Sequence, residues 1–364
     1  AWTARGAVPS AFTGSWDLTA SVQQHAAPEA VDWDGDGDLD LLVGAGGAES
    51  ASNTDTGTIR YFERQADDSL VEITGDNCPF AGFDFGESAT PRAADFDNDG
   101  DLDLFVGAAS GALSYYRRGT WGELWPLSGN DSPVGHLPQL GYASPALADW
   151  DGDGDLDLLL GAADGTIAYY RREGDGSLQQ LAGASNPFDG ISAGLFAAPE
   201  AADWDGDGDL DLLLGGQGGS VAFFQRQTDG ALLQIQGAAS PFNGLTVGAN
   251  STPKAVDWDA DGHLDLLVGS HAGTIKLYKR DSATTTITST ATPTTSFTRS
   301  STTTTATATS NTATTTASST TATTTASCTT ATTTASSTIT ATTTSSTTTT
   351  TTTMSSSSSS TTTT

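Results

Sequence analysis

The chain has 364 residues, 44 of them Asp or Glu and 14 Lys or Arg, and its net charge is −30. So acidic a surface repels nucleic acid and anionic headgroups and suits cation binding. No apolar run approaches the roughly 18 residues of a membrane span, and Cys78 and Cys328 are too few for a disulfide framework or a zinc site.

In chain order, the first residues from Ala1 show no charged segment ahead of an apolar stretch, so no signal peptide is read in them. Then an acidic segment recurs: Val31–Asp40, Ala94–Asp103, Ala148–Asp157, Ala202–Asp211 and Val256–Asp265. Its first Asp falls at 32, 95, 149, 203 and 257, spacings of 63, 54, 54 and 54. Periods near 50 belong to propeller blades or solenoid arrays.

The third unit shows the grammar. Ser144–Ala148 leads into the acidic loop, and Leu156–Leu160 follows as an apolar run closed by Gly161. Thr166–Tyr170 is β-branched and aromatic, and a Gly174–Gly176 turn precedes Ser177–Leu181. Short runs divided by Gly-rich turns read as four antiparallel strands, and no window carries a competing helical period. A four-stranded unit repeated radially is a propeller blade. The last unit stops after its third strand, Thr274–Arg280. Trp16-Asp17 stands about as far before Pro28 as Phe188-Asp189 before Pro199, which assigns Trp2–Ser10 to the missing fourth strand. An N-terminal strand closing the last blade removes open edges. The expected fold is therefore an all-β propeller of five four-stranded blades; a truncated six- or seven-bladed ring is the rival.

Each loop reads D-x-D-x-D-G-x-x-D. Positions 1, 3, 5, 7 and 9 are Asp32, Asp34, Asp36, Asp38 and Asp40 in the first copy, and Asp95, Asp97, Asp99, Asp101 and Asp103 in the second. The third has Asp149, Asp151, Asp153, Asp155 and Asp157; the fourth has Asp203, Asp205, Asp207, Asp209 and Asp211. The fifth has Asp257, Asp259, Asp261, His263 and Asp265. Alternate carboxylates in a tight loop can converge on Ca²⁺, which takes six to eight oxygens. Gly at position 6 permits the bend. Position 7, where His263 replaces Asp, is expected to give only its carbonyl, and position 9 a last carboxylate. The alternative is that these residues only make Asx turns. An EF-hand is excluded, because Val43, Val106, Leu160, Leu214 and Val268 stand where it needs Glu. About five Ca²⁺ per chain are expected. The second position is aromatic throughout (Trp33, Phe96, Trp150, Trp204, Trp258) and is expected to pack between strands.

The run from Asp149 to Ala162 resembles the FG-GAP/VCBS-type repeat, which builds the integrin α-subunit propeller and many surface proteins. The resemblance covers about residues 1–280. It implies calcium in each loop and adhesion or ligand recognition on the opposite face. The Phe-Gly of the family name is absent: Ser144-Pro145 and Ala198-Pro199 stand there instead. That places the chain nearer the VCBS-like branch, so integrin ligands are not carried over.

Between units recur Cys78-Pro-Phe80, Asn186-Pro-Phe188 and Ser240-Pro-Phe242, with Ser132-Pro-Val134 as a weaker copy. They either plug the gaps between blades or line ligand pockets. Arg64, Arg117, Arg118, Arg171, Arg172, Arg226, Lys279 and Arg280 end the third strands and are expected to pair with surplus Asp charge rather than form an anion site. His25, His136, His263 and His271 share no repeat position, and no nucleophile elbow, phosphate loop or HExxH is present. Residues 281–364, almost all Thr, Ser or Ala, cannot bury a core and read as a disordered, mucin-like tail.

The sequence thus predicts two regions, a propeller over 1–280 and a tail over 281–364. The expected function is a non-catalytic, calcium-binding module for adhesion or recognition, extracellular or at the cell surface. A monomer is expected, with an extracellular protein or glycan as ligand and no nucleic-acid partner. The alternatives are a lectin-like multivalent carbohydrate-binding module and an accessory domain of a larger secreted enzyme.

Overall fold

The computed structural model describes residues 22, 24–46 and 57–280 with their side chains, and elsewhere only the backbone of short strands. The chain divides into two units, Ala1–Asp281 and Ser282–Thr364. In the second unit the described backbone includes paired short strands such as Ile339–Thr344 with Thr349–Met354. The expectation of a disordered, mucin-like tail lies, for the rest of that unit, outside the described residues.

The first unit is a five-bladed propeller. Its first described strand is β1 (Ser15–Asp17). Blade 1 is β2 (Ala27–Val31), β3 (Asp40–Ala45), β4 (Thr58–Arg64) and β5 (Leu70–Ile73). Blade 2 is β6 (Thr90–Ala94), β7 (Asp103–Gly107), β8 (Leu113–Arg118) and β9 (Leu124–Leu127). Blade 3 is β10 (Ser144–Ala148), β11 (Asp157–Gly161), β12 (Ile167–Arg172) and β13 (Leu178–Leu181). Blade 4 is β14 (Ala198–Ala202), β15 (Asp211–Gly215), β16 (Ala222–Arg226) and β17 (Leu232–Ile235). Blade 5 is β18 (Thr252–Val256), β19 (Asp265–Gly269) and β20 (Ile275–Tyr278), completed by β1. All neighbours within a blade pair antiparallel. The first strands touch in a closed ring, β2 to β6, β10, β14, β18 and back to β2.

The second strands explain the uninterrupted apolar runs. Each is flanked by a blade on both faces, so alternate residues serve opposite seams. Leu158 and Leu160 pack with Phe105 and Tyr115 of blade 2, while Leu159 packs with Leu212 and Phe224 of blade 4. Close approach of blades also explains the glycine that ends each run. A Cβ on Gly161 would lie 2.1 Å from the Ala197 carbonyl oxygen of the next blade.

Four seams carry a plug: Phe80, Val134, Phe188 and Phe242 are all buried there. Phe80 meets Trp33 at 5.1 Å between ring centroids, Phe188 meets Trp150 at 4.7 Å, and Phe242 meets Trp204 at 4.9 Å. The Pro-Phe segments are thus packing elements, each set by a one-turn 3₁₀ helix such as Gly183–Ser185.

Closure differs in register from expectation. The closing strand is Ser15–Asp17, with Trp16 opposite Leu277, not Trp2–Ser10, which lies outside the described residues. Trp16 therefore stands where Leu181 stands opposite Tyr169. Twelve residues then reach Pro28, where eighteen lead from Leu181 to Pro199. The link before β2 has no Pro-Phe pair in its sequence, and among the described residues Val22, Phe62, Trp258, Ile275 and Leu277 pack together at the fifth seam.

Charges occupy the axis. The third residue of each first strand is Glu29, Arg92, Ala146, Glu200 and Lys254, so the sign alternates around the four charged positions. Arg92 lies 3.5 Å from Glu29 and 3.7 Å from Glu200, and Lys254 lies 3.1 and 3.6 Å from the same two carboxylates.

Candidate metal centre: five acidic loops

Each loop joins the first strand of a blade to the second, so all five lie on one face. Loop 3 shows how the sequence folds locally. Asp149 Oδ1 accepts from the amides of Gly152 (2.9 Å) and Asp153 (3.0 Å), and its Oδ2 accepts from Gly154 (3.0 Å). Asp151 accepts from Asp153 and Asp153 from Asp155, at 3.2 and 2.9 Å. Asx turns therefore do form, and they prearrange the loop while each side chain keeps further acceptor capacity. The position-6 glycines take φ between 87° and 101°, where a side chain is strained.

One carboxylate oxygen from each of Asp32, Asp34 and Asp36 lies within 4.8 Å of the others. The same holds for Asp95, Asp97 and Asp99; for Asp149, Asp151 and Asp153; and for Asp257, Asp259 and Asp261. In loop 4 the converging set is Asp203, Asp205 and Asp211. The position-7 side chains, Asp38, Asp101, Asp155, Asp209 and His263, stand outside these sets. Their amides donate to position 5, as from Asp38 to Asp36 and from His263 to Asp261, both at 2.9 Å.

Position 9 turns into the blade. Asp40, Asp103, Asp157, Asp211 and Asp265 are all buried. Tyr61, Tyr115 and Tyr169 donate their hydroxyls to Asp40, Asp103 and Asp157 at 2.8, 2.6 and 2.6 Å. Phe223 and Leu277 hold the equivalent register in blades 4 and 5, so Asp211 and Asp265 lack that donor. Burial raises the pKa of all five, of Asp211 to about 7 and of Asp265 to about 6. Asp265 Oδ2 and Asp259 Oδ1 are buried and have no hydrogen-bond partner among the described residues.

The donor set fits Ca²⁺. It is all oxygen, anionic, tightly spaced, and in loop 5 includes buried oxygens with nothing to accept.

The third-strand basic residues divide in a way the sequence did not indicate. Arg117 pairs with Asp97 and Asp99 and Lys279 with Asp259, on their own loops. The arginine after them instead reaches the preceding blade. Arg118 stacks over Trp33, Arg172 over Phe96, Arg226 over Trp150, Arg280 over Trp204 and Arg64 over Trp258, at 4.3–5.4 Å. Arg64, Arg226 and Arg280 also donate to that residue's carbonyl at 2.6–2.9 Å. A complete ring of cation–π latches, worth about 1–2 kcal/mol each when partly desolvated, thus ties every loop to the next blade. On the other face His25 and His271, from opposite ends of the propeller, meet with Nδ1 atoms 3.3 Å apart.

Among the described residues no helix is long and apolar enough to cross a membrane. A search of curated proteins returns no match. Among solved structures, the chain is similar to an Agrocybe aegerita lectin described as recognising non-reducing terminal N-acetylglucosamine (17% identity, TM-score 0.37, 72% of this chain and 65% of that one). It is also similar to AofleA from Arthrobotrys oligospora (14% identity, TM-score 0.41, 72% of this chain and 71% of that one). The model of the FG-GAP-like repeat matches residues 32–106, 95–160, 149–214 and 203–268, each span running from one acidic loop through the second strand of the next blade. The chain belongs to the FG-GAP-like repeat family.

Proposed function

We propose that this propeller is a calcium-loaded, non-catalytic recognition module that works outside the cell, each acidic loop holding one Ca²⁺. The observation that carries the reading is the convergence of three carboxylate oxygens within 4.8 Å in every loop. Carboxylates held so close repel one another strongly unless a cation lies among them. Positions 1, 3 and 5 would supply side-chain oxygens and position 7 its carbonyl. Asp211 and Asp265 are best placed to add position 9, lacking the tyrosine donor. Five copies of one site favour binding over catalysis, and calcium modules with affinities near 10⁻⁴–10⁻³ M suit extracellular concentrations. The partner would be an extracellular protein or glycan, met by a monomeric propeller. Protein dialysed against millimolar calcium should retain about five Ca²⁺ per chain by elemental analysis. One or none would end the assignment.

A second reading, carbohydrate binding, has its own observation. In the turn between β8 and β9, Trp121 stands where Asp67, Asp175 and Asp229 stand in blades 1, 3 and 4. It is 90% exposed, and Trp125 is 57% exposed. Beside this turn, at the seam of blades 1 and 2, is a cavity of about 610 Å³ lined by Asp34, Tyr61, Glu63, Asn77, Arg118 and Gly122. Exposed indole faces can stack on sugar rings while carboxylates and amides take up hydroxyls. A glycan array should then show binding that Trp121→Ala reduces at least tenfold. An array with no binding would remove this reading and leave the calcium reading intact.

A further inference from the structure

We propose that the five loops are unequal metal sites, sorted by the side chain just before the third-strand latch arginine: from that register loops 2 and 5 receive a cation on their converging carboxylates, and loops 1, 3 and 4 receive none. The 3.9 Å ion pair of Arg172 in loop 3 goes to Asp155, outside the converging set. The proposal rests on the calcium reading above. The sorting position is Glu63, Arg117, Arg171, Gln225 and Lys279 in blades 1 to 5, one register throughout.

In loop 2, Arg117 Nε lies 2.9 Å from Asp97 Oδ2, and its Nη2 lies 3.1 Å from Asp99 Oδ2. The guanidinium thus sits on two of the three converging carboxylates. In loop 5, Lys279 Nζ lies 3.0 Å from Asp259 Oδ2. A Ca²⁺ entering either loop must displace that cation or bind beside it, and both routes weaken binding. Both side chains are partly exposed, Arg117 by 50% and Lys279 by 28%, so they can swing out. The effect is a penalty on affinity, not exclusion.

The other three loops escape it by different means. In loop 3, Arg171 is held by Glu173, its Nε at 3.0 Å and its Nη2 at 2.5 Å from Oε1. In loop 4, Gln225 is neutral and donates its amide to Asp205 Oδ2. There Asp211 also joins the converging set. In loop 1, Glu63 adds negative charge at this register, and it borders the same cavity as Asp34.

The repeat thus places its charge compensation unevenly. Every loop has a latch arginine on its aromatic second position. Only loops 2 and 5 have a cation bonded directly to the converging carboxylates, so loops 1, 3 and 4 attract metal most strongly. Calcium would fill the propeller in two waves.

Calorimetric titration of chelator-stripped full-length protein with CaCl₂ tests this. Wild type should resolve three tighter sites and two at least tenfold weaker. The double variant Arg117→Gln, Lys279→Gln should bring all five into the tighter class. Glu63→Lys should move one site from the tighter class to the weaker. Melting curves in chelator establish that each variant folds, and Glu63→Lys tests the sorting without touching Arg117 or Lys279. Five equivalent sites in wild type, unchanged in the double variant, would overturn the sorting and leave the calcium reading standing. No calcium bound by any form would overturn both.

Discussion

Removing calcium should lower the melting temperature by roughly 15–30 °C, the largest single effect expected of any treatment of this protein. A ligand that binds only the folded state stabilises it by RT ln(1 + [L]/Kd), about 2.7 kcal/mol per site at 100 Kd. Three such sites give about 8 kcal/mol, comparable with the whole net stability of an ordinary domain. At about 2–4 °C per kcal/mol for a domain of this size, the shift follows. Acid should act in opposite directions with and without metal. Burial raises Asp211 to about 7 and Asp265 to about 6, so without metal the folded state holds protons that the unfolded state, with Asp near 3.9, releases. The chelated protein should therefore gain stability as pH falls from about 7 toward 4. The calcium-loaded protein should lose stability over the same window, because protons compete for the ligands. Sodium chloride should help the chelated protein only modestly, by screening. Differential scanning calorimetry in chelator and in graded calcium reads all of this. A melting temperature indifferent to both would mean that the loops are ordinary Asx turns.

The parts legible in the sequence were those that repeat within one blade. Asp149 to Asp157, the leucines after it and Gly161 specify a loop, a strand buried on both faces and a close blade contact, each by local chemistry. Blade number and N-terminal closure followed from counting strands. The register of closure did not. Equating Trp16 with Phe188 by distance from Pro28 requires links of equal length, whereas this link is six residues shorter and has no Pro-Phe pair in its sequence. Contacts between blades were the other blind spot. The stacking of Arg118 on Trp33 spans 85 residues and exists only once two blades are packed. Asp40, Asp103 and Asp157 read as equal to Asp211 and Asp265, yet a tyrosine two residues before the third-strand charge separates them. The signal was present, Tyr61, Tyr115 and Tyr169 against Phe223 and Leu277, but it carries meaning only when the strand register is known.

The axial charges give the second large prediction. Arg92→Met should destabilise the calcium-loaded protein by about 3–5 kcal/mol, the loss expected when one member of a buried ionic network is removed. Arg92 is 3% exposed, and it bridges Glu29 and Glu200 from between their blades. Without it, two buried carboxylates would face Lys254 alone. Burial already raises the pKa of Glu29 even with Lys254 and Arg92 beside it, so the variant should protonate there and recover part of the loss as pH falls. Restoring the charge balance with Arg92→Met, Glu200→Gln should recover much of the rest. The network is not optimal packing. Glu29 Oε2 and Arg92 Nε have no hydrogen-bond partner among the described residues. Replacing all four charged residues with apolar ones of similar volume should therefore be neutral or stabilising by about 1–4 kcal/mol. Urea midpoints at unchanged m-value measure each step. If Arg92→Met alone shifted the stability by less than about 1 kcal/mol, the axis would be wetter and more adaptable than its burial implies. The sharper comparison is between single and quadruple variants. A single loss with no quadruple loss means that the alternating charges oppose a mismatched ring more than they strengthen the correct one. With Ala146 at the remaining position, each charged first strand meets an opposite charge on another, and a blade paired out of order would bury like charges together.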